Sequence, residues 1–203
     1  MNKKTVAKGA TDEELQMFLL LAQKYQLDPF AKEIWFIKYN NETKIMTSRD
    51  GYLKIAQNHP EYLGLISFVV CEGDEFEIDA ANYKVNHKFG AKRGKIIGAW
   101  ARCDRKGKNA AICFVSFDEY KQNTPTWNKY PSAMIQKVAE VFVLKRQFGI
   151  SGLVTKEEIG DVEDIKEVKE IRTYDNVEVI DNSVKKITAM QKRKYGNLLN
   201  QKG

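Results

Sequence analysis

Between Leu65 and Phe117 strand-forming residues dominate, and the chain then changes period to give one long helix from Pro131 to Phe148. Proline is tolerated in the first turn of a helix, and Gly149 suits the left-handed residue that closes one. A run of strands followed by such a helix buries an apolar sheet face against the helix. The expected class is therefore α+β, an antiparallel sheet backed by helices, with strand order left open.

Local signals fill in the rest. Ile66–Cys71 and Phe76–Ile78 flank an acidic turn at Gly73-Asp74, and Lys95–Arg105 and Ala110–Phe117 flank a basic turn whose Gly107 fits a positive φ. Upstream, Asp12–Gln26 reads as a helix capped by Thr11, with Asp12, Glu13 and Glu14 at its positive end. Its apolar face carries Leu15, Phe18, Leu19 and Ala22, and Leu27-Asp28-Pro29-Phe30 ends it. A hairpin follows, Glu33–Tyr39 with Thr43–Thr47, and then a short helix over Asp50–Asn58. The resulting division is a flexible N-terminus (1–10), a core (11–160), a linker (161–183) and a short C-terminal helix (184–203). That last helix carries Ile187, Met190 and Tyr195 on its apolar side, and it is too short to bury a core alone.

With 43% hydrophobic and 30% charged residues the chain has the composition of a globular protein. Its apolar runs, such as Phe18-Leu19-Leu20-Leu21-Ala22, are far too short to span a bilayer, and the N-terminus has no apolar leader. Cys71, Cys103 and Cys113 read as reduced, buried thiols, so a cytoplasmic location is expected. The net charge of +6 is unevenly spread. Lys84, Lys88, Lys92, Arg93, Lys95, Arg102, Arg105, Lys106 and Lys108 share their window with one acid, Asp104, just after an acidic stretch over 72–79. A polyanion lying along one face would produce such a map, and so would a solubilising loop.

No catalytic constellation stands out. Gly90-Ala91-Lys92-Arg93-Gly94-Lys95 lacks the spacing and the final Ser or Thr of a phosphate loop, so an ATP-driven motor is not expected. His59 and His87 have no Cys or His at metal-ligand spacing. A metal-dependent nuclease would draw on the carboxylates of 72–79, which read more simply as a solvated edge. The expectation is a protein that is not an enzyme and takes no cofactor or metal.

The segment TPTWNKYPSAMIQKVAEVFVLKRQFG combines two groups that nucleic-acid grooves use. Trp127 and Tyr130 precede the helix, where exposed rings would stack on bases. Lys137 and Lys145 fall within about 80° of each other on it, while Met134, Val138 and Val141 face the core. Composition alone favours a plainer reading, in which Trp127 is a buried anchor and the lysines a solvated face.

The order of the residues shifts that balance. Trp127, Met134-Ile135, Lys137, Ala139, Lys145 and Phe148-Gly149 resemble the signature region of phage recombination proteins of the Bet/RecT family. Upstream, Leu27-Asp28-Pro29-Phe30-Ala31-Lys32-Glu33-Ile34, Arg49-Asp50-Gly51-Tyr52 and Phe117-Asp118-Glu119-Tyr120 are similar to further family blocks in the same order. Where the family usually carries Arg near the helix end, this chain has Lys145 with Arg146 adjacent, which keeps a charge but not a bidentate fork. The resemblance implies ATP-independent binding of single-stranded DNA and annealing of complementary strands in phage-type recombination. It further implies a homo-oligomer (ring or helical filament) holding an annealed duplex intermediate, with a 5′→3′ exonuclease and the host single-strand-binding protein as partners.

Under that reading Lys92, Arg93, Lys95, Arg105, Lys129, Lys137, Lys145 and Arg146 are the expected phosphate contacts, and Trp127 a groove or subunit-interface residue. The alternatives are a passive single-strand-binding module of OB type, suggested by Trp35, Tyr39 and Trp100 among strands, a nuclease, and a structural phage protein.

Overall fold

The computed structural model describes residues 6–39 and 42–159. The expected linker (161–183) and C-terminal helix (184–203) lie outside the described residues. By its contacts the chain divides into units Met1–Asp161 and Val162–Gly203, and the described residues belong to the first. Within the expected flexible N-terminus (1–10), Ala7 and Ala10 are buried in the core while Lys8 and Gly9 are exposed.

The elements run α1 (Asp12–Tyr25), β1 (Ile34–Tyr39), β2 (Glu42–Thr47), α2 (Arg49–Gln57), β3 (Tyr62–Cys71), β4 (Glu75–Asp79) and β5 (Lys84–Lys88). They continue with β6 (Ile96–Arg105), β7 (Ala111–Ser116), α3 (Phe117–Tyr120), α4 (Pro125–Lys129), α5 (Pro131–Phe148) and α6 (Lys156–Ile159). The α+β expectation holds, with antiparallel pairing in every sheet. Strand order is β3-β6-β7 in the main sheet, with β1-β2 and β4-β5 as separate ribbons. Among the described residues these strands form no single closed barrel of the kind an OB module would need.

Several local signals act as their chemistry dictates. Thr11 and Glu14 form a reciprocal capping box at the start of α1. Gly107 turns β6 into β7 at φ 72, and Gly149 ends α5 at φ 61. Other expectations are revised. The strands on either side of Gly73-Asp74 do not pair with each other, because β3 takes β6 as its neighbour and β4 takes β5. Phe117, expected to end the strand Ala110–Phe117, instead opens a short helix, Phe117–Tyr120, that leaves β7.

The long helix departs most from its expected role. Met134, Val138 and Val141 face the core as the spacing implies, but Ile135, Ala139, Val143 and Leu144 on its other sides are buried too. A helix apolar all round is a central one. One side of α5 lies on the main sheet, where Ser67, Val69, Ala99, Ala101, Cys103, Cys113 and Val115 point inward, and α2 packs on another side. Each fully buried Val or Leu contributes about 1.5–3 kcal/mol, so α5 organises the domain rather than lining its edge.

The family-like blocks meet in the fold. Thr47 Oγ1 donates to the Glu33 carbonyl at 2.7 Å, and Lys54 Nζ reaches the Glu33 carboxylate at 2.6 Å. Arg49 Nε lies 3.2 Å from Glu140 of α5 as an ion pair without hydrogen-bond alignment, while Ser67 Oγ donates to the same carboxylate at 2.6 Å. Gly51 is required by close approach, since a Cβ there would stand 1.9 Å from Thr47 Oγ1 and 3.2 Å from the Glu33 carbonyl. Gly51→Ala is therefore expected to displace Thr47 and cost about 1–3 kcal/mol in chemical denaturation. A variant as stable as the parent would show that this junction gives way freely.

Candidate nucleic-acid interface

The main sheet has a second face. Along β3, β6 and β7 the register places Phe68, Trp100 and Phe114 side by side on the surface away from α5. The β4-β5 ribbon lies across them, with Phe76 5.5 Å from Phe114 and His87 6.1 Å from Trp100 between ring centroids. Its outward positions carry the charges, Glu75 opposite Lys88 and Asp79 opposite Lys84, which is the alternation expected of a half-covered ribbon.

One acid of that stretch is not solvated. The Asp74 side chain is only 2% exposed, and its carboxylate accepts from the Arg93 guanidinium, from the Cys71 backbone N–H at 2.8 Å and from His87 Nε2 at 3.0 Å. The Trp100 indole N–H donates to His87 Nδ1 at 2.9 Å, which places the ring proton on Nε2, toward Asp74. Arg93 in turn covers the Phe89 ring at 4.0 Å and donates to the Val69 carbonyl. The guanidinium holds the Asp74 carboxyl well below the usual carboxylate range.

Four of the expected contacts are engaged within the fold. Arg93 pairs with Asp74. Arg105 donates to Glu61 at 2.8 Å and to the Gln147 carbonyl at 3.1 Å, while covering Phe148, so it closes the end of α5. Lys145 pairs with Glu158 at 2.6 Å and lies over the Tyr52 ring. Trp127 is 3% exposed, with its ring 6.3 Å from Phe117, so it is a buried anchor and offers no face to a base.

The remaining expected contacts stay accessible. Lys92, Lys95, Lys129, Lys137 and Arg146 are exposed, and among the described residues none of them forms an ion pair. Lys129 and Arg146 rest against the rings of Tyr130 and Phe142. Lys137 and Arg146 emerge about half a turn apart on α5, so the helix offers separate points of charge and no continuous track. Sequence reasoning missed the exposed aromatics beside the Lys92–Lys95 loop, Phe68 and Phe89. The two-residue period of a strand, which puts Ile66 and Phe68 on one face and Ser67 and Val69 on the other, was the signal for Phe68.

Cys103 and Cys113 are buried, which pushes their thiols up to about 12 and about 11, far from a reactive thiolate near neutral pH. None of the described helices is long and apolar enough to cross a membrane.

The sequence profile of the RecT family matches residues 1–170. The recombination protein bet of Escherichia phage lambda is 24% identical over 169 residues, covering 77% of this chain and 55% of that relative. The chain thus spans about half the length of the curated relative it matches.

Proposed function

From the premise that this chain belongs to the RecT family, we propose that it binds single-stranded DNA and anneals complementary strands without ATP. The observation that carries this reading is the extent of the family match, 1–170, which takes in every described element. Lys92, Lys95, Lys129, Lys137 and Arg146, which form no ion pair among the described residues, supply the charge it requires. The active form in this reading is a homo-oligomer, ring or helical filament, in the bacterial cytoplasm. It works on strands exposed by a 5′→3′ exonuclease and held by the host single-strand-binding protein.

Physics accounts for a nucleotide-free reaction. Each phosphate neutralised on a single strand releases counterions, giving a slope of about −0.7 in log K against log salt. With the backbone held and the base edges outward, a second strand gains about 1.4 kcal/mol per correct step from stacking. Backbone contacts carry no sequence information, so binding is expected to be sequence-independent.

The test is a fluorescence-quench annealing assay run with and without ATP. The expected result is acceleration over spontaneous pairing that ATP leaves unchanged. A protein that coats strands without speeding their pairing, or that works only with ATP, contradicts the proposal. Within it, Lys137→Ala is expected to weaken single-strand binding and flatten the salt slope by about 0.7, the share of one phosphate, with thermal stability unchanged. Identical salt slopes for variant and parent would remove Lys137 from the contact set.

A further inference from the structure

We propose that Phe68 and Phe89, with Lys92 and Lys95 beside them, form a base-stacking seat for single-stranded DNA on the face of the main sheet opposite α5. This inference rests on the single-strand-binding reading above and adds a location that the lysines of α5 do not share.

Four observations carry it. First, the two rings lie 5.7 Å apart between centroids, yet Phe68 remains 41% and Phe89 44% exposed. Rings that served only to anchor the β4-β5 ribbon would be covered, as His87 is with its side chain 3% exposed. Second, Ile66, two residues before Phe68 on the same face of β3, is also exposed, so the apolar surface continues along an edge strand. Third, the rings are held in place. Arg93 backs Phe89 at 4.0 Å while fixed to the buried Asp74, and Phe68 leans on Trp100 at 6.2 Å. A fixed aromatic surface loses little entropy on binding, which suits it to stacking.

Fourth, the surrounding charge selects the partner. Phe89-Gly90-Ala91-Lys92-Arg93-Gly94-Lys95 contains three cations and no acid. Asp74 neutralises Arg93, while Lys92 and Lys95 stay exposed and form no ion pair among the described residues. The nearby Glu72 is engaged with backbone. Its side chain accepts from the Lys95 N–H at 3.3 Å, and its carbonyl accepts from the Gly94 N–H at 3.1 Å. Gly94 permits this, since a Cβ there would stand 2.7 Å from Glu72 Cβ. Aromatic carbon joined, through the Phe89–Lys95 loop, to lysines that form no ion pair among the described residues fits unpaired bases joined by phosphates. A base-paired duplex would hide its rings from such a seat.

The sheet separates this surface from Lys137 on α5. Two contacts on opposite sides of a subunit give one strand a path across it, or give two strands separate holds.

The test compares the full-length parent with Phe68→Leu/Phe89→Leu, which keeps apolar volume but removes both rings, and with Phe89→Tyr, which keeps the ring. Two probes of equal phosphate number are used, a thymidine oligonucleotide and its abasic analogue. The parent is expected to favour the thymidine probe by about tenfold or more, and the double variant to lose that preference, as removal of one stacked base implies. The salt slope is expected to stay constant, and Phe89→Tyr to behave as the parent.

A folded double variant that keeps the full preference for bases overturns the seat. If Lys137→Ala still weakens binding, the single-strand reading survives that result. A parent that binds neither probe removes the underlying reading and the seat with it. Unchanged affinity with altered oligomer size reassigns the patch to a contact between copies and overturns the proposal.

Discussion

Trp127→Ala is expected to destabilise the domain by about 3–5 kcal/mol, while the affinity of the remaining folded protein for single-stranded DNA stays within about twofold. The ring is 3% exposed and packs near Phe117, beneath the short helix α4 that Thr124 caps through its side chain. Truncation would leave a cavity where α4 leads into α5, and a rigid core collapses only partly around such a void. Its indole nitrogen has no hydrogen-bond partner among the described residues. That asymmetry sharpens the expectation. Trp127→Phe removes a buried donor whose isolation costs about 1–3 kcal/mol, which offsets much of the volume it loses. The phenylalanine variant is thus expected within about 1.5 kcal/mol of the parent. Urea unfolding gives the stabilities, and anisotropy on a fluorescent oligonucleotide gives the affinities. A tenfold loss of affinity with an unchanged unfolding midpoint would return Trp127 to the DNA surface.

Trp127 also marks where the sequence ceases to be legible. What depends on neighbours in the chain could be read directly. The Thr11–Glu14 box, the β1-β2 ribbon, the turn at Gly107 and both ends of α5 each rest on a few adjacent residues. Which cations are free depends instead on residues far away in sequence. Arg93 finds its acid 19 positions upstream, and Arg105 finds Glu61 44 positions upstream. No local pattern announces those pairs, so a run that looks uniformly basic divides into arginines held by acids, Lys88 paired with Glu75, and lysines such as Lys92 and Lys95 that form no ion pair among the described residues.

The burial of α5 was written in its apolar residues, which occupy every side of the helix. The spacing of Lys137 and Lys145 points the other way, to a helix at an edge, and the apolar residues outweigh it. The family-like blocks held a further lesson. Glu33, Arg49 and Gly51 belong to motifs, yet their contacts here join β1, β2, α2 and α5 to one another. A motif residue is as readily a joint as a contact.

The second large effect is expected at Asp74. Asp74→Ala leaves the Arg93 guanidinium, the His87 N–H and the Cys71 N–H without their common acceptor, and the loss of one partner of a buried ion pair costs about 3–5 kcal/mol. At about 2–4 °C per kcal/mol for a chain of this size, the melting temperature falls by roughly 6–20 °C if unfolding is cooperative. The damage has an address. Asp74 precedes β4, and through His87 it holds the β4-β5 ribbon to Trp100. Hydrogen exchange is expected to quicken first at amides of β4 and β5, while those of α5 keep their protection. Equal loss in both elements would show that the ribbon is not a separate unit.

Acid should reproduce the effect in the parent. Because Arg93 lowers the Asp74 pKa in the folded state, the stabilisation is complete above the ordinary carboxyl range, near 4. It drains away as pH falls from there toward the depressed folded value. Glu14, drawn down to about 2 chiefly by its bond with Lys38, follows the same sign at the other end of the domain. Asp74→Ala is therefore expected to show a shallower loss of stability between pH 4 and pH 2 than the parent. Parallel profiles would mean that the carboxylate is not the group that answers to acid. If the ribbon loosens as expected, Arg93 loses its anchor and Phe89 its backing. The preference for bases over abasic sites should then weaken in Asp74→Ala even at neutral pH, with Phe68 and Phe89 both intact.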